Sequence, residues 1–391
     1  MTQKDKCPVC TSASVSTFLI RKRVPVHQNL LFKDRQSAIG IARGDLDMAV
    51  CHNCGFVFNR AFDATKLSYG LLYDNTQEYS GYFTNYLDNL AHSLVFEKGV
   101  RDCQIIEVGC GNGSFLKRLV ADKKFGNRGY GFDPSYTGPL ESMDGRLQFK
   151  QSYYGEEDAA IRADVVICRH VIEHIAEPVS LLRIIRQALA DSSSGRLFLE
   201  TPCASWILRN QVIWDLFYEH CSLFTAESIA TAVEAAGFQA RKTEHVFGGS
   251  YLFLEAYSAR VKLTTLNPHN ILQLAGDFTA AEERIKINWQ KKVRELAAKG
   301  KVAIWGAGAK GATLANLVDP AGELIDCVVD LNPQKQGKYL PGTGHCIVSP
   351  QEIGRRKVST AILMNPNYRE EISFLLQELR LEIELLESDS L

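Results

Sequence analysis

From about residue 76 the chain alternates short apolar runs with stretches of helical periodicity. CQIIEVG (103–109) reads as a strand, FLKRLVADKK (115–124) as a helix and GYGFD (129–133) as a strand; ADVVICR (163–169), a helix through LLRIIRQALA (181–190) and GRLFLE (195–200) repeat the order. Such alternation predicts parallel βαβ units with helices on both faces. ARKTEHVF (240–247) and SYLFLEAYSA (250–259), joined by two glycines, predict a closing antiparallel hairpin. Residues 277–299 predict one long helix with Ile285, Trp289, Val293 and Leu296 on its apolar face, ended by Gly300. A second alternation follows: KVAIWGAGAKGATLANLV (301–318), ELIDCVVD (323–330), TAILM (360–364) and a helix through REEISFLLQELR (369–380). Residues 1–75 lack this texture. The stretch from Ser14 to Val50 is polar and ill-patterned, too little core for a domain without a staple.

The expected class is α/β, with three domains: a small module over 1–75, a Rossmann-like domain over 76–265 and a second, smaller Rossmann-like domain over 266–391. Charge narrows the partners. The 44 Lys and Arg nearly cancel the 45 Asp and Glu, leaving a net charge of −1. A protein built for long contact with phosphate backbones usually carries a basic excess, so no nucleic-acid partner is expected. No run approaches the roughly 18 apolar residues of a membrane span, and MTQKDKCPVC contains no apolar run. A cytoplasmic protein is expected, and nothing in the sequence demands more than a monomer.

Eleven cysteines change the picture of the N-terminal module. Cys7 and Cys10, then Cys51 and Cys54, form two C-x2-C pairs. Each such turn offers two thiolates to one metal, and two turns complete a closed tetrahedral zinc site with no open position, hence a structural one. In a reducing compartment this outweighs disulfides or redox chemistry. A nucleic-acid-binding zinc ribbon is the rival, but Arg21, Lys22 and Arg23 are a modest basic patch.

IIEVGCGNGSFLKRL carries Glu107, then Gly109, Gly111 and Gly113 leading into a helix, with Asp133 and Pro134 in GFDPS at the end of the next strand. Glycines there let a ligand lie against backbone, and an acid at the next strand end can take both ribose hydroxyls of an adenosine. GCGNG lacks the spacing of a pyrophosphate-binding turn. The fingerprint resembles motif I of the class I S-adenosylmethionine-dependent methyltransferases, and ADVVICRHVIEH resembles the fourth strand of that family with the residues after it.

Two Glu-His pairs follow strands of this domain: Glu173 and His174 in VIEHIAEP, and Glu219 and His220 in FYEHCSLFT, beside Tyr218. The strand-end edge is where such folds bind ligands, and a histidine there can take a proton near neutral pH with a carboxylate orienting it. Gly306, Gly308 and Gly311 match G-x-G-x-x-G, with Asp330 19 residues beyond Gly311. Alone, that reads as an NAD site of an oxidoreductase; Lys310 inside the turn would equally suit an anionic group such as a sugar diphosphate.

The order of parts, a four-cysteine module, EVGCGNG, the EH element, GAGAKGATLANL, VVDLNPQKQGKYLPGT and NPNY, resembles the sugar C-methyltransferase family over nearly the whole chain. The resemblance implies S-adenosylmethionine as cofactor and a nucleotide-linked 4-keto deoxysugar methylated at C3. It places His220 on the family's base, Glu219 on its neighbouring acid and His174 on a second active-site histidine. His170 falls on a cofactor-contacting position, and Tyr79 with Ser80 in QEYSGYF on an aromatic lid over the cofactor. Lys310, Lys338, Tyr339 and Asn365 become the nucleotide-sugar candidates. One position departs: the family has Tyr three residues before the base, and Phe217 stands there. Either Tyr218 supplies that hydroxyl or the acceptor differs. An O-methyltransferase, sharing the pocket and base but needing no carbonyl, is the alternative.

Overall fold

A computed structural model describes residues 6–70, 73–189, 195–258 and 270–388. Three sheets organise the chain. The central one has eight strands in the order Phe238–Val246, Tyr251–Ser258, Arg196–Pro202, Val165–Arg169, Gln104–Val108, Arg128–Phe132, Leu147–Lys150 and Glu141–Ser142. Its core is parallel, and the expected hairpin adds antiparallel to Arg196–Pro202 at one side. Continuous apolar runs form the buried strands: in Gln104–Val108 only Gln104 is not buried, and Val165 to Cys168 are wholly inaccessible.

The C-terminal sheet is parallel, in the order Ile347–Val348, Ile325–Val329, Lys301–Trp305, Val358–Leu363, Glu384–Glu387. In each Rossmann-like sheet the strand order reverses beside the strand that ends in the glycine turn: Gln104–Val108 next to Val165–Arg169, and Lys301–Trp305 next to Val358–Leu363. Such reversals open the crevices where ligands bind.

The N-terminal segment is more regular than its pattern. Val15–Pro25 and Arg43–Cys51 pair antiparallel, with register shifts between Thr17 and Leu19 and between Arg21 and Val24 that break strict alternation. Val57–Asn59 extends the sheet, and Ser222–Leu223, two residues beyond His220, completes it by pairing with Val57 and Phe58. The long helix runs Ile271–Ala297 and buries Ile285, Trp289, Val293 and Leu296. It also carries Glu282, which accepts from Arg21 Nε at 2.5 Å, while the Arg21 Nη atoms donate to the carbonyls of Leu216 and Ile213. Arg21 is therefore a buried strut, not part of a basic surface.

Candidate active site

The four N-terminal thiols converge. Cys7 Sγ lies 3.6 Å from Cys54 Sγ and Cys10 Sγ 3.5 Å from Cys51 Sγ, and all four sulfurs lie within 4.8 Å of one another. A tetrahedral zinc with bonds of about 2.3 Å sets its sulfurs about 3.8 Å apart, so the donor set fits that ion. Gly55, at φ +74°, lets the second knuckle turn back, its N–H donating to the Cys51 carbonyl.

The glycine turn of the central sheet is shaped by close approach. Gly109 takes φ +74°, and a Cβ there would stand 2.1 Å from Val171; Gly113, at φ +76°, would meet Phe149. Gly111, at φ +54°, faces open space, and its N–H donates to Asp133 Oδ2 at 2.9 Å. Asp133 Oδ1 accepts from Ser135, leaving carboxylate lone pairs for a diol. Pro134, half-buried, follows Asp133 at that strand end. Glu107 is buried, and its Oε2 has no hydrogen-bond partner among the described residues. Burial pushes its carboxyl up to about 8. An open backbone cradle beside a buried carboxyl oxygen without a partner fits a polar ligand such as S-adenosylmethionine.

Beyond this turn, a cleft runs between the strand-end edges of the two Rossmann-like sheets. His170, Glu173, Phe217, His220 and Tyr251 line one side, and Gly306, Lys310, Asp330, Lys335, Asn365 and Tyr368 the other. Tyr79 and Ser80 also line it, as does Asn29 of the N-terminal segment.

His170 sits at φ +53°, a conformation uncommon for a side-chain-bearing residue, at the end of Val165–Arg169. Its Nε2 lies 2.7 Å from Glu200 Oε1 and its ring packs edge-on to Tyr251. Burial opposes its charge, but Glu173 and Glu200 outweigh burial and raise it to about 9. Glu200, within the next strand, Arg196–Pro202, also accepts from Arg169 and Tyr86. Its burial would favour the neutral acid; Arg169 and His170 instead hold it down at about 2.

His220 is different. Burial, then the charges of His174, His170 and Lys310, drive its basicity well below that of an ordinary histidine. Its Nδ1 has no partner among the described residues. The His174 ring, outside the cleft lining, stands edge-on to it, with Nδ1 2.9 Å from Tyr69 Oη. One donor atom each from Glu173, His174 and His220 lie within 4.8 Å, so this corner too holds a potential cation-binding set.

Several expected roles are redistributed. Glu219 does not pair with His220: its oxygens accept from His27 Nδ1 at 3.0 Å and the Gln28 N–H at 2.8 Å, because the N-terminal segment packs over it. Ser68 N–H donates to His27 Nε2, which puts the His27 proton on Nδ1, toward Glu219. Tyr218 is fully buried against Gly44, where a Cβ would come within 2.2 Å of its ring, and its hydroxyl accepts from Asp63 N–H. That hydroxyl lies outside the cleft, while Phe217 lines it. Lys338 and Tyr339 also lie outside, Tyr339 N–H donating to the Phe32 carbonyl. Lys310 lines the cleft paired with Asp215 at 2.7 Å. Asp330 accepts from the Ala307 and Asn332 N–H groups, the same pattern that Asp133 makes with Gly111 and Ser135, and Lys335 donates to the Ala307 carbonyl. The C-terminal glycine turn is thus tied to its own acid.

The site contains residues that motif reading passed over: Glu200, Asp215, Tyr251, Lys335 and Asn29. Glu200 was open to detection as an acid ending a buried strand run. Lys335 and Asn29 sit in irregular segments with no such signal.

Residues 80–243 match the family described as "Methyltransferase domain", and residues 261–382 that described as "C-methyltransferase C-terminal domain". The C-methyltransferase NovU of Streptomyces niveus is 26% identical over 396 residues, covering 94% of this chain and 91% of NovU. Among solved structures, 1,6-didemethyltoxoflavin-N1-methyltransferase of Burkholderia thailandensis aligns with 46% of this chain and 81% of its own, at 16% identity and TM-score 0.35. Magnesium protoporphyrin IX methyltransferase of Synechocystis PCC 6803 aligns with 46% and 84%, at 20% identity and TM-score 0.35.

Proposed function

We propose that this chain is an S-adenosylmethionine-dependent C-methyltransferase that methylates a nucleotide-linked 4-keto deoxysugar at C3, in the cytoplasm. The observation that carries the reading is His220: a histidine kept neutral, with a free ring nitrogen, in a cleft between two strand-end edges. Carbon is a poor nucleophile until a proton α to a carbonyl is removed, so a base unprotonated at neutral pH is the first requirement.

In this reading His220 takes the C3 proton onto its ring, leaving an enolate whose oxygen lies at C4. His174, steadied by Tyr69, stands edge-on behind His220 and helps keep that base neutral. Glu219 acts indirectly, fixing the His220 loop to His27 and Gln28. Bound S-adenosylmethionine supplies an electrophilic methyl on its sulfonium. Glu107, Gly109, Gly111, Gly113, Asp133, Pro134 and His170 form its proposed cradle, with Tyr79 and Ser80 over it. Lys310 and Asn365, joined by Lys335, are the proposed contacts for the sugar diphosphate; exchange of Lys310 from Asp215 to a phosphate would keep it charge-paired. Cys7, Cys10, Cys51 and Cys54 hold a structural zinc. The proposed domains are 1–75, 76–265 and 266–391, with Ser222–Leu223 lent to the first sheet. We read the protein as acting without a nucleic-acid or membrane partner; among the described residues no helix is long and apolar enough to cross a membrane.

The test is incubation of the zinc-loaded protein with S-adenosylmethionine and a panel of nucleotide 4-keto sugars, followed by NMR of any methylated product. A methyl bonded to carbon supports the reading. A methyl ether would make the protein an O-methyltransferase.

A further inference from the structure

The segment from Asp74 to Gly81 is held from two sides. On the cofactor side, Glu78 accepts from Ser114 Oγ and, at 3.0 Å, from Arg118 Nη1, both on the helix Ser114–Val120 that follows the glycine turn. On the other side its partners belong to the C-terminal domain. Asn332 Nδ2 donates to Asp74 at 2.7 Å, and Tyr368 Oη to Gln77 at 3.2 Å. Glu371, in the first turn of the helix Arg369–Glu378, accepts from Ser80 Oγ at 2.6 Å and from the Gly81 N–H at 2.8 Å. Ser80 caps the helix Gly81–His92, so the Glu371 carboxylate sits where a helix N-terminus favours negative charge. Tyr79, between these anchors, lines the cleft and is 46% exposed.

We infer that Glu371 is a positioning residue that latches the cofactor-side segment 74–81 to the C-terminal domain and thereby sets how long S-adenosylmethionine is retained. The inference rests on the proposed placement of Tyr79 and Ser80 over the cofactor. Both Glu371 bonds are charge-assisted and one is made to a buried hydroxyl, so they are among the stronger contacts holding the segment. Without them the segment keeps Glu78 on the cofactor domain and the Asp74 and Gln77 bonds to the C-terminal domain, but loses its two charge-assisted contacts at Ser80 and Gly81.

The experiment measures the dissociation rate of S-adenosylhomocysteine from the zinc-loaded full chain by stopped flow, for wild type, Glu371→Gln and Glu371→Ala. Glu371→Ala should release it roughly 10-fold faster, and Glu371→Gln, which keeps one acceptor oxygen, by an intermediate factor. The KM for S-adenosylmethionine should rise in step while kcat at saturation holds, and the unfolding midpoint should stay in place. Release rates equal to wild type in both Glu371 variants overturn the latch, as does faster release that merely tracks a fall in the unfolding midpoint. If Glu371→Ala does not fold, Glu371→Gln decides by the same criteria. A wild-type protein that does not bind S-adenosylhomocysteine overturns the cofactor reading, and the latch with it.

Discussion

The imidazoles of His174 and His220 meet edge to face, their centroids 4.8 Å apart at 84°. A proton on His220 would be buried and would face the charges of His174, His170 and Lys310. Each effect favours the neutral ring. Because the base is active when neutral, turnover should persist as pH falls through 6.5, the ordinary histidine value, and be lost only well below it. The acid limb of kcat/KM against pH measures this. Removing a neighbour's charge with His174→Gln should move the limb upward.

Tyr218 separates a structural from a chemical hydroxyl. Its oxygen accepts the Asp63 N–H and lies outside the cleft, so Tyr218→Phe should cost about 1 kcal/mol of stability, the scale of one buried hydrogen bond, and leave kcat nearly unchanged. Denaturant unfolding and steady-state kinetics on the same preparation check both halves. A kcat drop with stability intact would return this hydroxyl to the chemistry.

How much of this was legible in the sequence depends on whether a signal is local. Glu107, Gly109, Gly111 and Asp133 are spaced by strand and turn geometry, so reading them in order located the turn that the structure builds. Apolar runs such as VVIC gave the buried strands for the same reason. The strands Val15–Pro25 and Arg43–Cys51 escaped because two register irregularities scramble their alternation, and Arg21 read as part of a modest basic patch because its partner Glu282 lies 261 residues away. The partners of Glu219 were equally invisible. Adjacency to His220 in sequence implied a pair, whereas successive residues point in different directions and His27 arrives from the far N-terminal segment.

Arg21 tests that long-range contact. Its guanidinium is buried with Glu282 and two backbone carbonyls, so Arg21→Ala leaves an unpaired carboxylate and two stranded acceptors in the core. A loss of about 3–5 kcal/mol in unfolding free energy is expected. A surface-like change below about 1 kcal/mol would show the strut to be idle.

Zinc should matter for activity without touching the substrate. Ser222 and Leu223 pair with Phe58 and Val57, in the sheet that the cysteine knuckles brace, and His220 precedes them by two residues. Metal analysis should return one zinc per chain. Chelation, or Cys51→Ser, should lower the unfolding midpoint and turnover together, and readdition of zinc should restore both after chelation. Full activity in a zinc-free protein would contradict the coupling.

The central claim is that His220 removes the proton that makes carbon nucleophilic. The most direct measurement follows the C3 hydrogen of a nucleotide 4-keto sugar by NMR in deuterated water, with wild type and with His220→Asn. The account predicts enzyme-dependent exchange at C3 with wild type and none above background with the variant, alongside loss of methyl transfer. Near-normal exchange and turnover in His220→Asn would contradict it.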